Sequence, residues 1–110
     1  MKNYNSPGEA ISVPAPYDRL AGEGALTGAI FGVAQSDAEA GQDSVFVRRG
    51  VFNLAKTSAQ AWTVGVKIYW NDTSKEVTTT ASGNTLIGAA AAVAANPSST
   101  GLVLLDGTIR

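Results

Sequence analysis

The residues of this chain whose types could support chemistry are few, and the most suggestive lie in one octet, GVFNLAKT, at residues 50–57. Gly50 opens it and Lys56-Thr57 closes it at the spacing of a phosphate-binding loop, G-x-x-x-x-G-K-[ST]. In such a loop the glycines free backbone amides to cradle phosphate while the lysine reaches its outer oxygens. Ala55 stands where the second glycine belongs, and Val51-Phe52-Asn53-Leu54 has the character of a strand. A strand commits its amides to a ladder. The octet therefore reads as structure, with Lys56 a solvated residue at a strand end. A nucleotide-binding enzyme working through Gly50, Lys56 and Thr57 is the least supported reading.

The other polar groups do no better. Asp37 and Glu39, the closest carboxylate pair, sit in a turn-like Ser-Asp-Ala-Glu-Ala-Gly stretch with no third ligand and no aromatic sugar platform beside them. Ser74-Lys75 pairs a hydroxyl with an amine, but in a tight hairpin turn, where an exposed lysine activates nothing. Trp62, Tyr69 and Trp70 would stack single-stranded nucleic acid only with basic residues around them, and packing in a core or subunit interface is the simpler role. Eight Lys and Arg against nine Asp and Glu, with no like-charged run longer than Arg48-Arg49, argue against a nucleic-acid partner. The chain has neither cysteine nor histidine, which excludes disulfides, thiol nucleophiles, zinc fingers and imidazole triads. The expectation is a protein without catalytic residues, metal or cofactor.

The elements that position these residues are short and β-like. At 110 residues the chain fits one domain with a modest core, and 45% hydrophobic against 7% aromatic residues favours close backbone packing over a large ligand cavity. Apolar runs are punctuated by glycine, asparagine and aspartate, the rhythm of an all-β fold. Val66, Ile68 and Trp70 alternate with Lys67 and Tyr69, residues 71–75 supply a turn, and Val77, Thr79 and Ala81 alternate again, which makes the clearest hairpin. In SVFVRRGVFNL the apolar face passes from Val45 and Val47 to Phe52 and Leu54, a one-residue slip that predicts a β-bulge at Arg49-Gly50. Pro14 and Pro16 flank Ala15 after Ile11 and Val13, so the first strand belongs at a sheet edge.

Residues 29–52 and 85–109 follow one plan: Ile30-Phe31-Gly32 or Leu86-Ile87-Gly88, then small residues, a polar turn, an apolar run and another glycine. That likeness favours an internally pseudo-symmetric barrel or sandwich. It also favours strand over helix for the alanine run 89–95, which has no periodicity of its own. If the chain holds a helix at all, residues 57–62 are the place for a short one. The fold class is thus all-β, a small barrel or sandwich of short antiparallel strands over residues 9–110, preceded by an N-terminal arm, residues 1–8. The opening MKNYNSPGEA lacks the apolar stretch of a signal peptide, and LIGAAAAVAA is far shorter than the roughly 20 residues of a membrane span. The expectation is a soluble chain with no membrane partner.

The ordered set of motifs is recognisable as a whole. Asn3-Tyr4, Pro7-Gly8, Ala15-Pro16, Phe31-Gly32-Val33-Ala34, Gly50-Val51-Phe52, Leu54 with Lys56, Ala61-Trp62 with Gly65, Ile68-Tyr69-Trp70 and Asn84 with Ile87-Gly88 run through the chain in that order. Together they resemble the small capsid decoration, or cement, proteins of tailed bacteriophages, a family often labelled recombinase-like. The resemblance implies a β-rich homotrimer that binds the major capsid protein on the outside of the phage head, assembled in the bacterial host cytoplasm from a phage or prophage gene. It carries over no catalytic residues. The polar segment before the first strand, with Lys2, Asn3, Tyr4, Asn5 and Pro7, is the candidate contact with the capsid or a neighbouring subunit, the alternative being a simple frayed terminus. The alternative from another class is a non-catalytic intracellular β-barrel binding module.

Overall fold

The computed structural model describes residues 8–109, and among these it contains strands, turns and bridges but no helix. Four strands form the first antiparallel sheet: β1 (Ala10–Pro14), β2 (Gly24–Thr27), β3 (Ile30–Ala34) and β4 (Asp43–Val47), in the order β1-β4-β3-β2. The second sheet holds β5 (Arg49–Ala55), β6 (Lys67–Asn71), β7 (Glu76–Thr78), β8 (Thr85–Ala90) and β9 (Thr100–Asp106), in the order β5-β9-β8-β6-β7. The barrel-or-sandwich expectation therefore resolves into two antiparallel sheets. As the prolines require, β1 lies at an edge, with Pro14 its last residue.

The sequence likeness marks a deeper repeat. Without β7, the second order is the first one over again, and the registers coincide. Ala10↔Val47, Val33↔Val47 and Gly24↔Val33 of the first sheet have the counterparts Val51↔Leu104, Ala89↔Leu104 and Lys67↔Ala89 in the second. Connecting loops repeat as well. Arg19 and Ala38 exchange two backbone hydrogen bonds, as do Trp62 and Ala94, while Gly22 N donates to Ala34 O where Gly65 N donates to Ala90 O. Gly22 and Gly65 share a φ of +88° and +89°, a conformation that needs glycine and fixes the same turn in both halves. The short β2–β3 turn at Gly28-Ala29 is replaced in the second half by the excursion that carries β7.

Each sheet has its own core. Large side chains fill the second: Leu54, Trp62, Ile68, Trp70, Val77, Val103 and Leu105, joined by Val33 of β3 and flanked by Leu26 and Phe31. The first sheet therefore packs one face onto the second. Phe31 and Trp70 meet there with ring centroids 5.0 Å apart and tilted by 53°. The other face of the first sheet is lined by Phe46 among Ala15, Ala25, Ala34 and Ala38, a core of small residues under its own loops.

The slip read at Arg49-Gly50 has a different origin. The buried residues are Phe46 and Leu54, both even-numbered, with Phe52 half-buried, so the period does not slip, and β4 and β5 belong to different sheets. The chain crosses between sheets at Arg48, whose guanidinium donates to the carbonyl oxygens of Gly8 and Gly107, tying the start of the first half to the end of the second. Gly50, the second residue of the new strand, has a φ of +129°, a backbone conformation that favours glycine. The register break that does occur lies between β6 and β8, where Ile87 is the extra residue opposite Ile68/Tyr69 and is buried.

Residues 57–62 form no helix because their backbone groups are taken sideways. Thr57 N donates to Val77 O, Trp62 is bridged to Ala94, and the Gln60 side chain bonds both Thr78 Oγ1 and the Thr79 amide. The alanine run is strand only through Ala90, the end of β8; Ala91 and Ala92 bend, with Ala91 N on Leu102 O, and Ala94 is held by an isolated bridge to Trp62. The hairpin read from alternation is β6–β7, pinned by Asn71 Oδ1, which accepts the amides of Thr73 and Ser74.

Candidate interaction surface

Built from its residues upward, the octet 50–57 is strand through Ala55, with Lys56 in an isolated bridge to Val77. β5 pairs with β9 from Arg49↔Asp106 to Ala55↔Thr100, so the segment is a ladder and forms no anion nest. Lys56 corrects the reading from sequence: it is 3% exposed, not solvated. Its Nζ donates to Thr57 O at 2.9 Å and Ser58 O at 3.4 Å and lies 5.6 Å from the centre of the Trp62 ring. Burying an ammonium requires such acceptors, and the two carbonyls with the aromatic face supply them. The lysine closes one end of the second core.

The remaining sequence candidates are structural too. Asp37 Oδ1 accepts the Ala21 amide at 2.8 Å, and the Glu39 amide donates to Gln42 Oε1 at 3.0 Å, so each fastens a loop of the first half. Around them, Asp18, Arg19, Leu20, Glu23 and Ala38 complete an open depression of about 360 Å³. Lys75 has φ of 59°, and its Nζ lies 4.3 Å from the centre of the Tyr17 ring. Trp62 and Trp70 are core residues, each 1% exposed. Lys2, Asn3, Tyr4, Asn5 and Pro7 lie outside the described residues.

A polar clasp missed from sequence joins the two halves. Asp72 Oδ1 accepts both the Tyr17 hydroxyl at 2.7 Å and Trp70 Nε1 at 3.0 Å, while the same hydroxyl accepts the Leu26 amide at 3.1 Å. One carboxylate thus holds the loop after β1, strand β2 and strand β6 together. Burial first, then the bond to Asp72, pushes the Tyr17 pKa from 10.0 up to about 12.

The surface feature with most to offer is the outer face of the second sheet. Side chains alternate along a strand, so when Leu54, Val103 and Ile68 point inward, Val51, Leu104, Leu102, Ala89, Lys67 and Tyr69 share the opposite face. Val51 is 52% exposed and Leu104 48%. Lys67, Leu86, Gly88, Ala89, Leu104 and Asp106 line a shallow groove of about 210 Å³ along it. The signal was present in GLVLLD, residues 101–106, which lacks the polar alternation of a strand with one wet face.

In comparisons with known proteins, residues 5–105 match the family model described as phage cement protein. No curated protein and no solved structure matches.

Proposed function

Because the chain belongs to the phage cement protein family, and is thereby a capsid-stabilising, non-catalytic structural protein of the virion surface, we propose that it acts as a homotrimer seated on the major capsid protein. The observation that carries the reading is the span of the match, residues 5–105, which takes in both sheets but for Asp106, the last residue of β9, and all the loops between the strands. A cement protein works by area, shape and copy number. Many modest contacts acting together give holding strength that none has alone.

The polar segment with Lys2, Asn3, Tyr4, Asn5 and Pro7 contacts the capsid or a neighbouring subunit in this reading. In its support, the segment leads into β1, an edge strand that pairs on one side only among the described residues. The protein is made and assembled in the host cytoplasm. The test is reconstitution. Purified chain added to heads that lack it saturates at a fixed copy number and raises the temperature at which they rupture, and light scattering gives the free protein three times the chain mass. Deleting residues 1–7 weakens head binding or trimer stability; unchanged values for both would remove the arm from the account.

A further inference from the structure

The described chain begins at Gly8, and Arg48 fixes that point. Its guanidinium donates to the carbonyl oxygens of Gly8 and of Gly107, the residue after Asp106, so residues 1–7 start at the Asp106 end of the groove on the outer face of the second sheet. From there the groove crosses β9, β8 and β6 to Lys67, two strand spacings or about 10 Å. Tyr4 lies four residues before Gly8, at most about 14 Å of extended chain. Pro7 fixes its own φ and biases Ser6 toward the extended region, which favours that reach. The residues of the groove are also engaged from within. Besides the Thr108 amide donating to Asp106 Oδ1 at 3.1 Å, Asp106, Thr108 and Leu86 each take part in a further interaction inside the chain. A separate partner entering the groove would have to displace those contacts.

We propose that residues 1–7 lie across this groove on their own sheet, with Tyr4 as the anchor against Leu86, Ala89 and Leu104. Tyr4 is the only aromatic residue of the segment, and such a ring buries an apolar body while its hydroxyl stays in water. Leu104, 48% exposed, then gains the cover that its side chain calls for. Resting on the arm reading above, this seat lets the segment meet a capsid or a neighbouring subunit already held in place, which lowers the ordering cost of that contact.

The experiment uses the absence of cysteine. Asn3→Cys and Lys67→Cys are introduced together in the full chain, a short bis-maleimide is added, and intact-mass spectrometry counts the chains joined by each linker. Near-UV circular dichroism from the buried Trp62 and Trp70 checks folding, and should Lys67→Cys disturb it, Ala89→Cys takes its place. The expected product is one chain with both thiols on one linker. Adding Tyr4→Ala is expected to slow that bridging at least about tenfold, by lowering the effective concentration of one thiol at the other. Linkers that join two chains would give the groove to a neighbouring copy's segment, and bridging that Tyr4→Ala leaves unchanged would mean the segment does not dock. Either result overturns the assignment. Both are read on the free protein, so the seat can fail while head binding stands, and head binding can fail while the seat stands.

Discussion

Where the second half buries Trp62, the first half carries Arg19; where the first half has Ser44, the second has Gly101. The two differences are one. A Cβ on Gly101 would lie 2.3 Å from the Trp62 ring, so the indole fills the space a side chain would use. Ser44 keeps its side chain because Arg19 lies along its own loop, its Nε on Asp18 O at 2.7 Å and 3.8 Å from Glu23. Ala25 against Ile68 and Phe46 against Val103 show the same redistribution. One backbone plan supports a core of alanines around a single phenylalanine in one half and a core around two tryptophans in the other. Topology and register do not dictate how the interior is filled, and the second half carries the larger share of buried side-chain volume.

That comparison can be broken at several points. The largest effect belongs to Trp70→Ala, expected to cost about 3–5 kcal/mol because the ring serves the second core and also meets Phe31 of the first sheet. Phe46→Ala should cost less in chemical denaturation, since only the small first core surrounds it. Equal losses would contradict the unequal division of stability.

The paired glycines come next. A Cβ on Gly88 would fall 2.0 Å from Leu104 O, whereas at its counterpart Gly32 the nearest atom is Phe46 Cβ at 2.8 Å. Gly88→Ala must therefore part β8 from β9 and is expected to cost at least about 3 kcal/mol, with Gly32→Ala nearer 1 kcal/mol. Gly101→Ser is expected to cost about 1–3 kcal/mol alone but much less when Trp62 is already alanine. A double-mutant cycle that came out additive would separate the two residues.

Asp72→Ala sharpens the comparison by cutting the link between halves. It takes away the acceptor of the Trp70 indole N–H and of the Tyr17 hydroxyl proton and should cost about 1–3 kcal/mol in urea unfolding. The smallest effect is electrostatic. The folded chain holds the Tyr17 proton up to about pH 12 whereas the unfolded chain releases it near 10.0, so this contribution is whole below pH 10 and fades as pH rises toward 12. Unfolding titrations should show that decline in the wild type and a flatter one in Tyr17→Phe; identical slopes would refute the clasp as its source.

Much of this was legible in the sequence, for identifiable reasons. Alternation around Ile68, Trp70 and Val77 gave the β6–β7 hairpin, prolines gave the edge position of β1, and Gly32 and Gly88 marked the repeat because both lie where strands approach too closely for a side chain. Hidden from it was whatever depends on the meeting of distant segments. The burial of Lys56 needs the Trp62 face and two loop carbonyls, and Asp72 acquires its role only when Tyr17, 55 residues away, arrives. The crossing at Arg48 was read as a bulge because a single strand pattern cannot reveal that its two ends serve different sheets. The outer face was legible in principle, since Leu102 and Leu104 stand where polar residues would stand on a wet surface.

The most direct test of the account is quantitative mass spectrometry of gradient-purified phage particles, counting this chain against the major capsid protein. The account predicts a fixed copy number comparable to that of the capsid protein, retained through repeated purification. Particles that mature without the chain would contradict it.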